Sequence, residues 1–303
     1  MTTAAYTIAH LTDPHLPLLA EETGLFAAMP DKRLSGILSW RLKRRHIHLP
    51  QILSLLTDDI HAHRPLHIVL TGDLLNVSLP REYLRATDWL GQLGTPADVS
   101  LTPGNHDAYM PGAFEAGGNP WTPYMQSDDP SMDAAFPYCR IRGGIALIGV
   151  STAVPTRLFS AAGELGANQL RALAELLAAQ GKAGRMRILM LHHPPGLAGA
   201  SRRKGLRDRA ALQQVLAQHG AELVLHGHTH TGVLDQIPGP HGPIPVLAPS
   251  SASALDPHRE HARWHLLEIS SPSPGQWQTH VTVRGYNPAA GQFETQGQFS
   301  LLV

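Results

Sequence analysis

Nine residues of this chain, Asp13, His15, Asp73, Asn105, His106, Asp107, His192, His228 and His230, are of types that hold hard or borderline divalent cations. They come in five blocks: Asp13-Pro14-His15, Gly72-Asp73, Gly104-Asn105-His106-Asp107, His192-His193-Pro194 and Gly227-His228-Thr229-His230. Carboxylate, imidazole and amide oxygen together suit Mn, Fe or Zn, and the lack of thiolates disfavours soft-metal and iron-sulfur sites. Two such ions roughly 3.5 to 4 Å apart can share a carboxylate, hold phosphate oxygens and acidify a bridging water to hydroxide near neutral pH. Asp73, alone after its apolar run, is the candidate for the shared carboxylate. Taken singly, Asp13 and Asp73 read equally as helix caps, Asn105 as a turn residue, and the His228/His230 pair as structural. Their joint order, each block closing an apolar run, favours ligation.

Those runs are the elements that must position the blocks. Tyr6 to Leu11, His67 to Leu70, Val99 to Leu101, Ile188 to Leu191 and Leu223 to Leu225 read as buried strands. Helices are predicted over Gln51 to His63, Glu82 to Leu93, Ala167 to Gln180 and Asp208 to His219. The alternation predicts an α/β fold, and if the five strands share a sheet their carboxyl ends deliver the ligands along one edge. Residues 263–301 read as antiparallel strands, predicted to form a second sheet packed on the first within one domain spanning 1–303. Pro238 to Pro245 and Ser270 to Gly275 read as surface turns. Residues 16–50 and 108–137, each directly after a metal block, are predicted to overhang the site as substrate-capping insertions.

In order and spacing the blocks resemble the calcineurin-like metallophosphoesterase superfamily, over roughly Ile8 to Thr231. The resemblance implies a four-layer αββα sandwich with two mixed β-sheets. It also implies one metal on Asp13, His15, Asp73 and His230, and a second on Asp73, Asn105, His192 and His228. His106 would lie beside the substrate phosphate, protonating the leaving oxygen or stabilising charge, with Asp107 orienting it. The family's His-x-Pro pattern favours His192 over His193 as ligand, leaving His193 as a phosphate contact or a structural neighbour. His226 is expected in the core, and His46, His48, His61, His63 and His67 show no shared ligand spacing. Ser/Thr phosphoprotein phosphatases typically carry Asp-x-His-Gly, Gly-Asp-x-Val-Asp-Arg-Gly and Gly-Asn-His-Glu. Here Leu16 follows His15, Leu74-Leu75-Asn76 follows Asp73, and Asp107 replaces the Glu. The pattern looks closer to bacterial class III cyclic-nucleotide phosphodiesterases and related phosphodiester and pyrophosphate hydrolases. That implies hydrolysis of a cyclic nucleotide or similar phosphodiester by a metal-bound hydroxide. The alternative is a peripheral-membrane pyrophosphatase of a lipid-linked nucleotide such as UDP-2,3-diacylglucosamine. A catalytically inactive scaffold would be expected to have lost ligands, and none is missing.

Composition narrows the partners. The 303 residues carry 24 basic and 24 acidic side chains, so a small phosphate ester rather than nucleic acid is expected to bind. Cys139 is the lone cysteine, compatible with a reducing cytoplasmic setting, and the start lacks a secretory signal pattern. Lys32 to His48 reads as a basic amphipathic helix, either touching an anionic membrane or capping the active site. The cluster Arg202, Arg203, Lys204 and Arg207 reads as a substrate-phosphate contact or a solvated loop.

Overall fold

The computed structural model describes residues 5–19, 21–22, 31–129, 136–196, 203–273 and 275–302. Its first half runs β1 (Tyr6–Leu11), α1 (Lys32–Leu42), α2 (Pro50–His63), β2 (His67–Leu70), α3 (Pro80–Leu93), β3 (Val99–Leu101), α4 (Ala113–Gly117), β4 (Tyr138–Arg142) and β5 (Ile145–Gly149). The second half runs α5 (Ala167–Lys182), β6 (Met186–Met190), α6 (Arg209–His219), β7 (Leu223–Leu225), β8 (Val233–Pro238), β9 (Pro243–Ala248), β10 (Arg263–Ser273), β11 (Gln276–Asn287) and β12 (Gln292–Leu302). Pro50 and Pro80 open α2 and α3, where a missing N–H costs nothing.

Two mixed six-stranded sheets result, ordered β12-β11-β10-β1-β2-β3 and β4-β5-β6-β7-β9-β8. Alternation shows how they stack. In β6, Met186, Ile188 and Met190 join the cluster that contains Ile8, Val69 and Trp264, whereas Leu189 joins Leu173, Leu177, Leu212 and Leu216 from α5 and α6. Both faces of the strand are therefore buried, one against the other sheet and one against helices, as the αββα layering requires. On the outside of the first sheet, Asp59 of α2 accepts from Trp264 Nε1 at 2.9 Å and pairs with Arg284 at 2.6 Å.

Three expectations are corrected. Strands β10 to β12 do not build a separate sheet; β10 pairs antiparallel along β1, from Tyr6↔Ile269 to His10↔His265, and extends the first one. The second sheet is made from segments carrying the later blocks, so the five block-bearing strands divide, β1, β2 and β3 on one sheet and β6 and β7 on the other. Period-two alternation specifies a face but not a neighbour, so register partners were not legible. Pro238 to Pro245 is the closed end of the β8/β9 hairpin rather than a turn alone. Within 108–137, of which 130–135 lie outside the described residues, Tyr109 stays beside His106 but the part around Trp121 and Tyr124 does not overhang the site. Trp121 packs at 5.2 Å from Tyr83 and donates to Thr87, and Tyr124 donates to Gly94, so this part follows α3 away from the blocks.

Several core histidines are kept neutral. His10 and His265 face each other across β1 and β10 with ring centroids 6.0 Å apart, and His67 bonds Ser100 at 2.8 Å. Burial, the main cause in each case, lowers His10 well below 6.5, His265 to about 4 and His67 to about 3. The unfolded chain takes protons below pH 6.5 that these rings refuse, so their stability is complete above that pH and falls as pH drops toward about 4. Each ring contributes up to about 1.4 kcal/mol per pH unit in that window. Denaturant unfolding should show decreasing stability from pH 7 to 5, with a shallower slope in His265→Gln; a slope unchanged by that substitution would refute the assignment.

Candidate metal centre

The ligand blocks begin where β1 and β2 stop but their pairing does not. Asp13 N–H donates to Gly72 O at 3.0 Å, His15 to Asp73 O at 3.1 Å and Leu16 to Leu74 O at 2.8 Å, so the two loops run on side by side. The turns use left-handed backbone: φ is 52° at Asp13, 42° at His15, 57° at Asp73, 71° at His228 and 55° at His230. Asp and His tolerate this region better than most residues, yet each such residue costs about 1 to 2 kcal/mol. Two glycines allow the loops to interlock. A Cβ on Gly104 would lie 2.2 Å from Asp73 Oδ1, and one on Gly227 would lie 2.0 Å from Thr12 Oγ1.

Two buried carboxylates hold the loop after β2. Asp107 accepts from the backbone N–H of Asp73 and Leu74 at 2.9 Å, Leu75 at 3.1 Å and Gly104 at 2.8 Å. Glu82, in the first turn of α3, accepts from Asn76 at 2.7 Å, Val77 at 3.2 Å and Leu79 at 2.9 Å. A stretch without regular structure thus has its donors satisfied by two buried carboxyl groups, both raised by their burial, Asp107 to about 7. This corrects the role read for Asp107: its oxygens clamp two loops together, and the His106 ring is oriented by Asn76 O, 2.5 Å from Nδ1.

The side chains converge as two groups. In one, Asp13, His15, Asp73 and His230 bring a donor atom each within 4.8 Å of one another. Asp13 Oδ2 is engaged by Thr12 Oγ1 at 2.8 Å and His228 N at 2.9 Å, whereas Oδ1 is buried with no hydrogen-bond partner and faces His230 Nε2 at 3.1 Å and His15 Nε2 at 3.7 Å. His15 Nδ1–H donates to Leu75 O at 2.9 Å, which leaves Nε2 as a lone pair directed into the group. In the second, His192 Nδ1–H donates to Thr71 O at 2.7 Å, and its Nε2 lies 3.3 Å from Asp73 Oδ2, Asn105 Oδ1 and His228 Nδ1. Asp73 Oδ2 faces both groups, 3.3 Å from His192 Nε2 and 3.9 Å from His15 Nε2, while Oδ1 accepts from His106 N at 2.7 Å. One orphaned carboxylate oxygen, one oxygen shared between the groups and imidazoles with their far nitrogens already bonded are the features a pair of divalent cations requires.

The field agrees. Burial disfavours charge on His192, yet the Asp73 and Asp13 carboxylates and the bond to Thr71 O together more than offset it and raise the ring to about 9. Burial opposes ionisation of Asp73 too, but the surrounding imidazoles, His192 first, hold it well below its usual value. The anionic pull that draws a proton to His192 draws a metal cation in the same way.

His106 stacks on Tyr109, with centroids 5.5 Å apart and planes at 17°, and burial followed by the Arg44 guanidinium lowers it to about 3. His193 is a different case from His192. Its Nδ1 bonds Thr152 Oγ1 at 2.8 Å and its Nε2 bonds Ala161 O at 3.0 Å, so the fully buried ring is spent on structure and not on substrate. Buried His226 bonds Gly227 O through Nδ1. Among the basic cluster, Arg202 lies outside the described residues, Arg203 and Lys204 are exposed, and Arg207 pairs with Glu164 at 2.8 Å across the surface. The cation that does reach the site is Arg44, from the turn after α1, with Nη2 2.9 Å from His15 Nδ1. His48, also in that segment, lies with its ring 4.7 Å from His15 and its Nδ1 3.0 Å from Ser253 Oγ, and offers a further donor beside His15 and His230. The sequence placed both in the basic Lys32 to His48 segment read as a membrane contact or an active-site cap, but singled out neither, because neither follows a strand. A cavity of 490 Å³ lined by Arg187, Glu222, His241 and Trp277 opens at the other ends of β6 and β7, where Arg187 and Glu222 pair with each other at 2.6 Å.

A family model described as calcineurin-like phosphoesterase matches residues 6–232, which contain all five blocks. A probable cyclic nucleotide phosphodiesterase of Synechococcus sp. is 29% identical over 279 residues, covering 90% of this chain and 91% of that one. A dimetal phosphatase from Danio rerio superposes with a TM-score of 0.62 at 13% identity, over 98% of this chain and 99% of that one. A purple acid phosphatase from yellow lupin seeds gives a TM-score of 0.61 at 10% identity, over 98% of this chain and 54% of the lupin chain. At such identities the two structures speak for the fold alone. The matched segment holds every donor of both groups, and the chain belongs to the calcineurin-like phosphoesterase family, hydrolases of phosphate esters.

Proposed function

We propose that the chain is a dinuclear metal-dependent phosphodiesterase acting on a cyclic nucleotide or a similar small phosphodiester. The observation that carries this is Asp73 Oδ2, which faces both donor groups and so gives two ions a common ligand. The Synechococcus relative, named as a probable cyclic nucleotide phosphodiesterase, supports a diester over a monoester. Two divalent ions of the Mn, Fe or Zn type would supply charge to grip phosphate oxygens and to acidify the attacking water.

The chain's own residues do the rest. Asp107 and Glu82 hold the loop whose Asn76 carbonyl fixes the His106 ring by Nδ1. His106 Nε2, the ring atom left free, carries a lone pair in the neutral ring; it would take up a proton once the substrate anion lies beside it and pass that proton to the ester oxygen that departs as its bond to phosphorus breaks. Purified protein should carry close to two divalent ions per chain, and Asp73→Ala should lose metal and activity together; full activity in that variant would sink the shared-ligand assignment. His106→Ala should keep its metal but lose roughly 10²-fold or more in turnover. Rates on an artificial phosphodiester, a phosphomonoester, 3′,5′-cyclic AMP and UDP-diacylglucosamine then order the substrates.

A second reading, an enzyme working against an anionic membrane on a lipid-linked nucleotide, is favoured by the outer side of α1. Gly36, Ile37 and Trp40 face the protein, while Leu34, Leu38 and Leu42 are 37%, 47% and 72% exposed, with exposed Lys43 and Arg45 beside them. Lys32 Nζ donates to Thr156 Oγ1 at 2.8 Å and so ties α1 to a loop that exposes Leu158 and Phe159. Two apolar elements flanked by cations suit an anionic lipid surface. Among the described residues no helix is long and apolar enough to cross a membrane. Vesicles containing phosphatidylglycerol should co-float the protein and release a Leu42→Glu/Phe159→Glu variant; equal flotation of the two proteins would remove this reading.

A further inference from the structure

Among the described residues the guanidinium of Arg44 has no carboxylate in contact with it, although the Asp73, Glu82 and Asp13 charges act on it from further away. The side chain is only partly exposed and carries its charge at any working pH. Nη2 lies 2.9 Å from His15 Nδ1, and Nη1 lies 3.4 and 3.5 Å from the two ring nitrogens of His106. These contacts satisfy little. His15 Nδ1 already donates its proton to Leu75 O, and His106 Nδ1 donates to Asn76 O, so the one lone pair facing the fork is that of His106 Nε2, 3.5 Å from Nη1. The position is nevertheless built: Arg44 opens the 3₁₀ turn Arg44–His46, its carbonyl accepts from Ile47 at 3.0 Å and His48 at 2.8 Å, and the preceding helix is seated by Ile37 and Trp40 against Val77, Leu79 and Tyr109.

We infer that Arg44 is a phosphate-binding residue, its two terminal nitrogens taking non-bridging oxygens of the phosphoryl group between the first donor group and His106. This rests on the metallophosphoesterase reading of the same site and names a contact outside the five ligand blocks. A planar fork matched to two oxygens makes charge-assisted hydrogen bonds that a point charge reproduces incompletely.

Inorganic phosphate is the probe. In the metal-loaded protein, Arg44→Ala should raise the phosphate inhibition constant and KM roughly 10- to 100-fold, with Arg44→Lys in between. Metal content and the melting temperature measured without phosphate should match wild type, and added guanidinium ion should restore part of the phosphate affinity of Arg44→Ala. Unchanged phosphate binding in Arg44→Ala, or a loss explained by missing metal in both variants, overturns the assignment. Wild type that holds metal but hydrolyses no phosphate ester would instead overturn the function on which the inference rests.

Discussion

The Asp107 carboxylate is the contact on which the geometry of the centre depends. Its four backbone donors, from Asp73, Leu74, Leu75 and Gly104, belong to two loops that would otherwise present a row of unpaired N–H groups in a buried setting. It fixes Asp73 against Asn105 and His106, so a single acceptor places the carboxylate that faces both donor groups, one further donor and the His106 ring. Burial, and then the Asp73 charge, raise the Asp107 carboxyl to about 7, so its bonds are worth about 0.5 to 1.5 kcal/mol each when it is protonated and about 1.5 to 3 when it is ionised. That is the scale needed to offset the left-handed backbone at Asp13, His15 and Asp73, where each residue costs about 1 to 2 kcal/mol. Backbone strain at a site of this kind is sustained only when the surroundings over-determine it.

The split of the donors over two sheets follows from the same need. Strand ends along one edge of one sheet lie side by side, whereas donors around a cation must surround it. Here β1, β2 and β3 supply Asp13, His15, Asp73 and Asn105 from one sheet, and β6 and β7 supply His192, His228 and His230 from the other. The two sets are joined by His192 Nδ1 on Thr71 O at 2.7 Å and His228 N on Asp13 Oδ2 at 2.9 Å. The inter-sheet core sets the sheet separation, and these cross-links set the register of one ligand set on the other.

Much of this was legible in the chain because it is local. The bounds of β1, β2, β3 and β7 follow from short apolar runs ended by Gly, Asp or Thr, and the five blocks identify themselves by residue type at those ends. What was not legible depends on partners far away in sequence. The addition of β10 to β1 joins positions more than 250 apart, and either sheet would accept the alternating pattern of β10. Asp107 looks like a companion of His106 because they are neighbours in the chain; only the fold shows that its oxygens face residues 73–75. His193 looks like a second ligand for the same reason, until Thr152 and Ala161 account for both of its nitrogens.

Arg44 and His48 lie in the part of the chain that strand logic cannot place, and this division has a physical basis. A metal ligand must be fixed to a fraction of an ångström, which favours strand ends and short clamped loops. A group that recognises the anion has a looser requirement and can ride on an inserted helix, here one seated by Ile37 and Trp40. The electrostatics reinforce the separation. Near the donor groups Arg44 lowers the affinity of His15, His48 and His106 for protons, although burial is the larger cause in each. The Asp73, Glu82 and Asp13 carboxylates act on Arg44 from a distance, but none is in contact with its guanidinium, whose terminal nitrogens stay open to an anion. A contact to the substrate anion on the 32–48 segment would add to whatever grip bound cations supply, and it can change without disturbing the strand ends that position the ligand blocks.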